Sequence, residues 1–417
     1  MPAFQSQQGS RNPKFSTLPT ASISTTANTV GHSWPIASHS PASAPTPGTP
    51  SNPMQPGTAL IIGAGPAGCS AAIHLARCSW QVTLIEAKAF PRVKVCGEFI
   101  SPAATDDLEL LLDPPALRKA GARQVDQFVL KYGAHTTAWP MPSPAWALSR
   151  ASLDTLLVEH AGRAGVTVLQ PKRVTSAHTD PESAEVVLAT GEHLHADILI
   201  HADGSGRFDD AGPTTMAPNL IGAKCHYQTT ARPMGVRIRS APGMYVGTIN
   251  VEHGLATCAL CTTKSLARRF AGDFDALLGS IMPDFCPDLR QSPWLATGIA
   301  RMPFRPSPSA RAFRIGNAAG AVDPVGGEGI GLGLWAGRTL AETLESCASL
   351  EETKRRFARL YRRRLRSRRV ACRLAAETLM RPGLLRTLRP ALAAPSLSIA
   401  PWYALTGKPI RSSNRGT

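Results

Sequence analysis

Between residues 59 and 86 the apolar positions change period twice. Ala59–Ile62 is a short apolar run, Ala67–Arg77 repeats its apolar residues at helical spacing, and Val82–Ile85 is apolar again. That order predicts a strand, a helix and a parallel strand. Further on, the periodicity predicts a helix from about Ala103 to Leu112, ended by Pro114-Pro115. A second helix runs from about Ser152 to Ala164, with Leu153, Leu156, Leu157 and His160 on one face and Ser152 as its cap. Short strands are expected at Val166–Leu169, Ala184–Ala189 and His195–His201, the last two joined by a turn at Thr190-Gly191. Alternation at Gln127–Lys131, Gly235–Ile238 and Met244–Val251, with a helix near Thr263–Phe270, reads as an antiparallel sheet set into a parallel core. Phe313–Gly316 is another apolar strand, followed by a helix to about Ser346. The fold class expected is α/β: a doubly wound, Rossmann-like core with helices on its parallel sheet, an inserted antiparallel β-sheet (about 115–147 and 208–305), and a helical C-terminal tail. The expected divisions are 1–57, 58–345 and 346–417. No 18 apolar residues run together, so no spanning helix is expected.

Charge changes the picture at one end. Residues 351–417 carry 17 Lys+Arg against 3 Asp+Glu, a net of +14 out of +16 for all 417 residues. Residues 351–370 read as a helix with Phe357, Leu360, Tyr361 and Leu365 at helical spacing and Arg355, Arg356, Arg359, Arg362, Arg363, Arg366 and Arg369 over much of the rest. Its outer face suits either solvent or an anionic membrane surface. No aromatic platform accompanies the arginines, so nucleic acid is not an expected partner. The first 53 residues lack Asp and Glu and have no apolar signal core. They read as a start-site artefact upstream of Met54, a disordered tail or a transit-like presequence. The nine cysteines form no disulfide framework. Cys258-x-x-Cys261 has no second pair or histidine set, so no metal is expected and a reducing compartment is. The expected location is cytoplasmic, peripheral on the inner face of the membrane.

The chemistry concentrates in glycine-rich segments. The strand at 59–62 runs directly into Gly63-x-Gly65-Pro66-Ala67-Gly68, and Glu86 ends the next strand. Gly63 permits a tight turn, Gly65 lets backbone approach a pyrophosphate, and Gly68 lets helix and strand pack closely. The helix N-terminus offers N–H groups and partial positive charge to phosphate. Glu86 can accept hydrogen bonds from a ribose. Asp203-Gly204 follows a strand, and Gly316-Asn317 opens a third segment through Asp323-Pro324 to Gly329-Ile330. A helix starting near Gly326–Gly331 would aim its N–H groups at an anionic ring edge.

These three segments, in this order, resemble flavoproteins of the p-hydroxybenzoate hydroxylase fold. The resemblance covers roughly residues 58–345 and is closest to the geranylgeranyl-reductase-like branch, beside flavin-dependent monooxygenases and halogenases. It implies FAD, with Gly63, Gly65, Pro66, Ala67 and Gly68 at the pyrophosphate and Glu86 at the ribose. Arg150, Asp203 and Gly204 would stand near the cofactor, Gly316 and Asn317 at the ribityl chain, and Gly329 and Ile330 at the flavin. The family carries an acid where this chain has Asn317. Val95-Cys96-Gly97-Glu98 is similar to the Cys-Gly-Gly segment of the reductases and the Gly-Glu segment of the halogenases. Cys96, Glu98 and Asp323 are the catalytic candidates, with a packed thiol as the alternative for Cys96 and a turn or cap residue for Asp323. Halogenation is disfavoured: no Trp-x-Trp-x-Ile-Pro segment exists, and Asp106 stands where a lysine is required. The reductases' Tyr-x-Trp-x-Phe-Pro segment is missing too, and the region in its place is 243–253.

The expected activity is an FAD-dependent oxidoreductase, foremost a monooxygenase hydroxylating a hydrophobic aromatic, polyketide-like or isoprenoid-like small molecule. The alternatives are a reductase of an isoprenoid C=C bond and a non-catalytic membrane-tethered flavoprotein. With one dinucleotide fingerprint, either NAD(P)H is a transient reductant or electrons come from a partner.

Overall fold

The computed structural model describes residues 54–204, 216–230, 235–283, 285–309 and 311–392. The expectations for residues 1–53 and for the part of the C-terminal tail beyond 392 lie outside them. Five parallel strands form the core sheet in the order Ala312–Arg314, Ile198–His201, Thr58–Ile62, Gln81–Ile85 and Thr167–Leu169. Pleating sends Ala59 and Ile61 to one face and Leu60 and Ile62 to the other, and both faces are covered. Helices Pro66–Arg77, Arg150–Arg163 and Glu328–Ser346 cover the first. A doubly wound core would carry helices on the second face as well. Here a three-stranded antiparallel sheet of Val174–Thr179, Ala184–Leu188 and His193–Ala196 lies there instead, burying Val186 and Leu188. The first of these strands has no counterpart in the expected elements.

Small residues let two helices of the first face touch. A Cβ on Gly337 would lie 2.4 Å from the Ala71 backbone nitrogen, and one on Gly333 would lie 3.2 Å from that of Ala67. Ser70 donates to the Leu334 carbonyl at 2.7 Å. This crossing holds the N-termini of Pro66–Arg77 and Glu328–Ser346 in one region.

The inserted sheet has eight strands: Leu295–Ala300, Met216–Gln228, Leu255–Thr263, Met244–Asn250, Gly235–Ala241, Arg123–Tyr132, His135–Ala147 and Phe99–Ile100, in spatial order. Its junctions are antiparallel except one, where Gly235–Ala241 runs parallel to Arg123–Tyr132. Two distant chain segments meet there without a hairpin, so no turn dictates direction. Cys258 and Cys261, three apart on one strand, enter different apolar clusters on opposite faces. They cannot share a ligand.

Three helix boundaries differ from expectation. Pro114 begins a short helix, Pro114–Lys119, because Asp113 caps it by accepting from the Ala116 N–H at 2.8 Å. The cap of Arg150–Arg163 is Ser149, and Ser152 donates its N–H to that hydroxyl at 3.1 Å. The basic helix is longer than its apolar stripe suggested, running Leu350–Leu379. Phe357, Tyr361 and Leu365 are buried in the same cluster as the core helices. Among the described residues no helix is long and apolar enough to cross a membrane.

Candidate functional site

A cavity of about 320 Å³ opens at the C-terminal ends of Thr58–Ile62 and Gln81–Ile85. Ligands of α/β sheets bind at such carboxyl ends. Gly63, Gly65, Glu86, Arg92, Lys94 and Asp203 line it. Gly63 adopts φ +101°, and a Cβ there would stand 2.7 Å from the Ala202 carbonyl oxygen. A Cβ on Gly68 would stand 1.9 Å from the Gly63 oxygen, so helix and turn meet without room for a side chain. Gly65 is different. Around it the nearest groups are Nη2 of Arg92 and Nη2 of Arg150, each 3.8 Å from where its Cβ would be. Gly65 is also the N-cap of Pro66–Arg77 and supplies no capping side chain. Its end of the helix therefore leaves N–H groups facing an open, strongly cationic space.

Buried charge holds this space in shape. Asp154, one turn after Arg150, accepts from Nε and Nη2 of Arg150 at 2.8 and 2.7 Å. It also pairs with Nη2 of Arg92 at 3.4 Å. Arg92 reaches Glu86 at 3.3 Å, and Glu86 accepts the Ala64 and Lys88 N–H groups at 3.1 Å each. Nε and Nη1 of Arg92 are buried and make no hydrogen bond among the described residues. Two unsatisfied guanidinium donors beside an uncapped helix end fit an oxygen-rich anion, since burying them unpaired is costly. The cradle thus fits a dinucleotide pyrophosphate, with Glu86 placed for a ribose. Arg92→Met is expected to weaken FAD binding by about tenfold or more, removing one charged hydrogen bond of about 1.5–3 kcal/mol. Titration of the apoprotein by flavin fluorescence checks it; unchanged affinity would remove Arg92 from the cradle.

The third glycine-rich segment reaches the same place. A Cβ on Gly316 would meet Ala67 at 2.8 Å, and the Gly316 carbonyl accepts from the Tyr361 hydroxyl at 2.7 Å. Asn317 is exposed beside it. The helix expected near 326–331 begins at Glu328, with Gly327 as a cap lacking a side chain. Gly329 is open and Ile330 buried. Glu328 pairs with Arg368 of the basic helix at 3.1 Å, both buried. The basic helix is therefore part of this region.

Glu98 is fully buried and left-handed, at φ +56°. Its carboxylate accepts from the Lys224 ammonium and the Thr257 hydroxyl, from the His226 ring at 2.7 Å and from the Arg150 N–H at 2.7 Å. Burial alone would raise its pKa. The His226 hydrogen bond and the Lys224 charge reverse that and hold the carboxyl down at about 2. Glu98 thus joins the Val95–Phe99 segment to the inserted sheet and to Arg150. Cys96 sits within this joint: its Sγ accepts from the Glu98 N–H at 3.3 Å and it hydrogen-bonds Arg150. Asp323 lies apart from it. Its side chain pairs with Arg301 at 2.6 Å, accepts from the Tyr245 hydroxyl at 3.1 Å and caps the Val325 N–H at 3.3 Å. That set makes it an anchor between the third segment and the inserted sheet. Gly204 stands near Lys94, whose Nζ would be 3.9 Å from its Cβ.

Sequence reading missed Arg92, Asp154, Lys224 and His226. Lys224 and His226 carry a trace: two cationic-type residues at i and i+2 on one face of an otherwise apolar strand.

A parallel sheet ending in a glycine-lined, guanidinium-bordered dinucleotide cradle, with a second sheet above it, defines a flavin-dinucleotide oxidoreductase. Residues 57–208 match the family described as FAD binding domain. The menaquinone reductase of Mycobacterium tuberculosis is 31% identical over 324 residues, covering 69% of this chain and 76% of that protein. A kynurenine 3-monooxygenase of Xanthomonas oryzae is 29% identical over 178 residues, 37% of each chain. The solved structure of a flavin-dependent brominase superposes with a TM-score of 0.70 at 17% identity, covering 84% of this chain and 94% of that one. The chain belongs to the family of FAD-dependent oxidoreductases to which that menaquinone reductase belongs.

Proposed function

We propose that this flavoprotein is a monooxygenase that inserts one oxygen atom of O2 into a lipophilic aromatic or polyketide-like substrate, with NAD(P)H as a visiting electron donor. Bound FAD supplies the two-electron chemistry and the activation of oxygen. Gly65, Arg92 and Arg150 would hold its pyrophosphate, Glu86 its ribose, and Gly316-Asn317 its ribityl chain. The N-terminus of Glu328–Ser346, at Gly329-Ile330, would offer its partial positive charge to an anionic ring. Glu98, held ionised, is a positioning residue rather than a proton donor at neutral pH.

The observation that carries the substrate class is the joint between the cofactor segments and the inserted sheet. Val95 lies across from Gly222 and Ile299, and the Phe99 ring lies against Gly327. Apolar side chains at this joint suit an apolar substrate. Peripheral membrane contact through the basic helix belongs to the same proposal, since it would place the enzyme where such a substrate resides. A second reading, reduction of a C=C bond in an isoprenoid-like lipid, is favoured by one fact: the likeness to menaquinone reductase extends over 69% of the chain, well beyond the dinucleotide segment.

Oxygen separates the two. With NADPH and a phenolic lipid in detergent, the hydroxylase consumes O2 in a one-to-one ratio with hydroxylated product. Anaerobic turnover to a saturated product would replace the first reading with the second.

A further inference from the structure

We propose that the outer face of helix Leu350–Leu379 docks on the anionic surface of a lipid bilayer. This deepens the reading above, on which it rests for its biological sense. Phe357, Tyr361, Leu365, Cys372 and Ala376 form the inner stripe and are buried. Val370 follows Leu365 by five residues and precedes Cys372 by two, so it points ~140–160° away from that stripe. Leu374 is one turn further on. These two side chains are 60% and 59% exposed, above every other exposed large hydrophobic residue among those described. Arg359, Arg363 and Arg366 continue the same outer stripe, spaced four, three and four residues to Val370, and all three are exposed.

The clustering is specific to this end of the chain. Of the exposed large hydrophobic residues, Leu360, Val370, Leu374, Leu384 and Leu388 lie here, and Val93, Leu110 and Leu289 lie elsewhere. Arginine alone would suit any polyanion. Arginine interleaved with unpartnered Val and Leu suits a surface that is anionic outside and apolar just beneath. The aliphatic side chains enter the headgroup boundary while the guanidiniums stay at the phosphates. A nucleic acid offers no apolar layer to Val370 and Leu374. The inner stripe of the same helix holds the third glycine-rich segment, through Tyr361 on Gly316 and Arg368 on Glu328. Docking therefore brings the bilayer within about one helix diameter, ~10 Å, of that segment.

Co-sedimentation of the full-length, FAD-loaded protein with vesicles of phosphatidylglycerol and phosphatidylcholine tests this. The wild type is expected to pellet with mixed vesicles and not with phosphatidylcholine alone. Val370→Glu/Leu374→Glu and Arg363→Glu/Arg366→Glu are each expected to weaken pelleting by about tenfold or more. Flavin absorbance and turnover of detergent-dispersed substrate should stay unchanged, because none of the four residues reaches the cradle. Absence of vesicle binding by the wild type would overturn the docking surface while leaving the oxidoreductase reading intact. So would unchanged binding by the Val370/Leu374 variant, or capture by duplex DNA that this variant leaves as tight as before. Vesicle binding by a wild type that does not turn over a phenolic lipid in detergent would instead strike at the proposed function.

Discussion

Replacing Glu98 by alanine is expected to lower the stability of the folded chain by about 3–5 kcal/mol. Lys224 is buried and has Glu98 as its counter-ion. Removing that carboxylate leaves an ammonium in the interior, and breaking a buried pair from one side costs about that much. Thr257 and His226 lose the same acceptor. Urea denaturation at pH 7 measures the loss; a change below about 1 kcal/mol would show that the cluster does not hold the joint. The pH dependence has a definite sign. The Glu98 carboxyl has a folded pKa of about 2 against an ordinary 4.5. A depressed pKa means that the unfolded state takes up the proton first. The stabilisation is complete above pH 4.5 and is lost as pH falls from 4.5 towards 2. Glu98→Gln keeps the shape but removes the titrating group. Its stability should therefore fall less steeply than that of the wild type across this window. Parallel profiles for the two proteins would refute the assignment.

Gly65→Val is expected to separate folding from cofactor binding. Gly65 has φ −80°, which valine adopts readily. The nearest atoms to its Cβ are the two guanidinium nitrogens at 3.8 Å, an ordinary contact distance. The apoprotein should therefore melt within a few degrees of the wild type. The added branches fill the space between the helix end and Arg92 and Arg150, the proposed seat of the pyrophosphate. FAD affinity should fall by on the order of 100-fold or more, about 2.7 kcal/mol. A yellow, FAD-saturated Gly65→Val protein would move the pyrophosphate elsewhere. A variant that fails to fold is distinguished by circular dichroism of the apoprotein. Gly68→Val supplies the contrast: its side chain would collide with the Gly63 backbone and should disrupt folding itself.

The dinucleotide segment was legible because its determinants are local. Strand, turn, helix and acid all fall between residues 58 and 86, and each leaves a mark in spacing or residue type. The structure places Gly63, Gly65 and Glu86 around one cavity. Helical periodicity found Phe357, Tyr361 and Leu365 of the basic helix's inner stripe for the same reason, whereas Leu360, expected beside them, is exposed. It could not say what that stripe packs on, so Tyr361 and Arg368 read as members of a tail rather than as partners of Gly316 and Glu328. The strand Val174–Thr179 was not legible because its alternation is weak and its pairing to Ala184–Leu188 supplies the order.

By itself, then, the sequence determined the nucleotide turn, the α/β core with an inserted sheet, and the concentration of positive charge at one end. All three rest on interactions between near neighbours or on composition. The tertiary structure decided which charges are buried and what each is for. Glu98 meets Lys224 and His226 from 126 and 128 residues away. Arg92 is shared by Glu86 and by Asp154 of the helix Arg150–Arg163. Asp323 becomes an anchor only because Arg301 and Tyr245 arrive beside it. A buried charge is tolerated only when through-space partners compensate it, and those partners carry no fixed spacing along the chain.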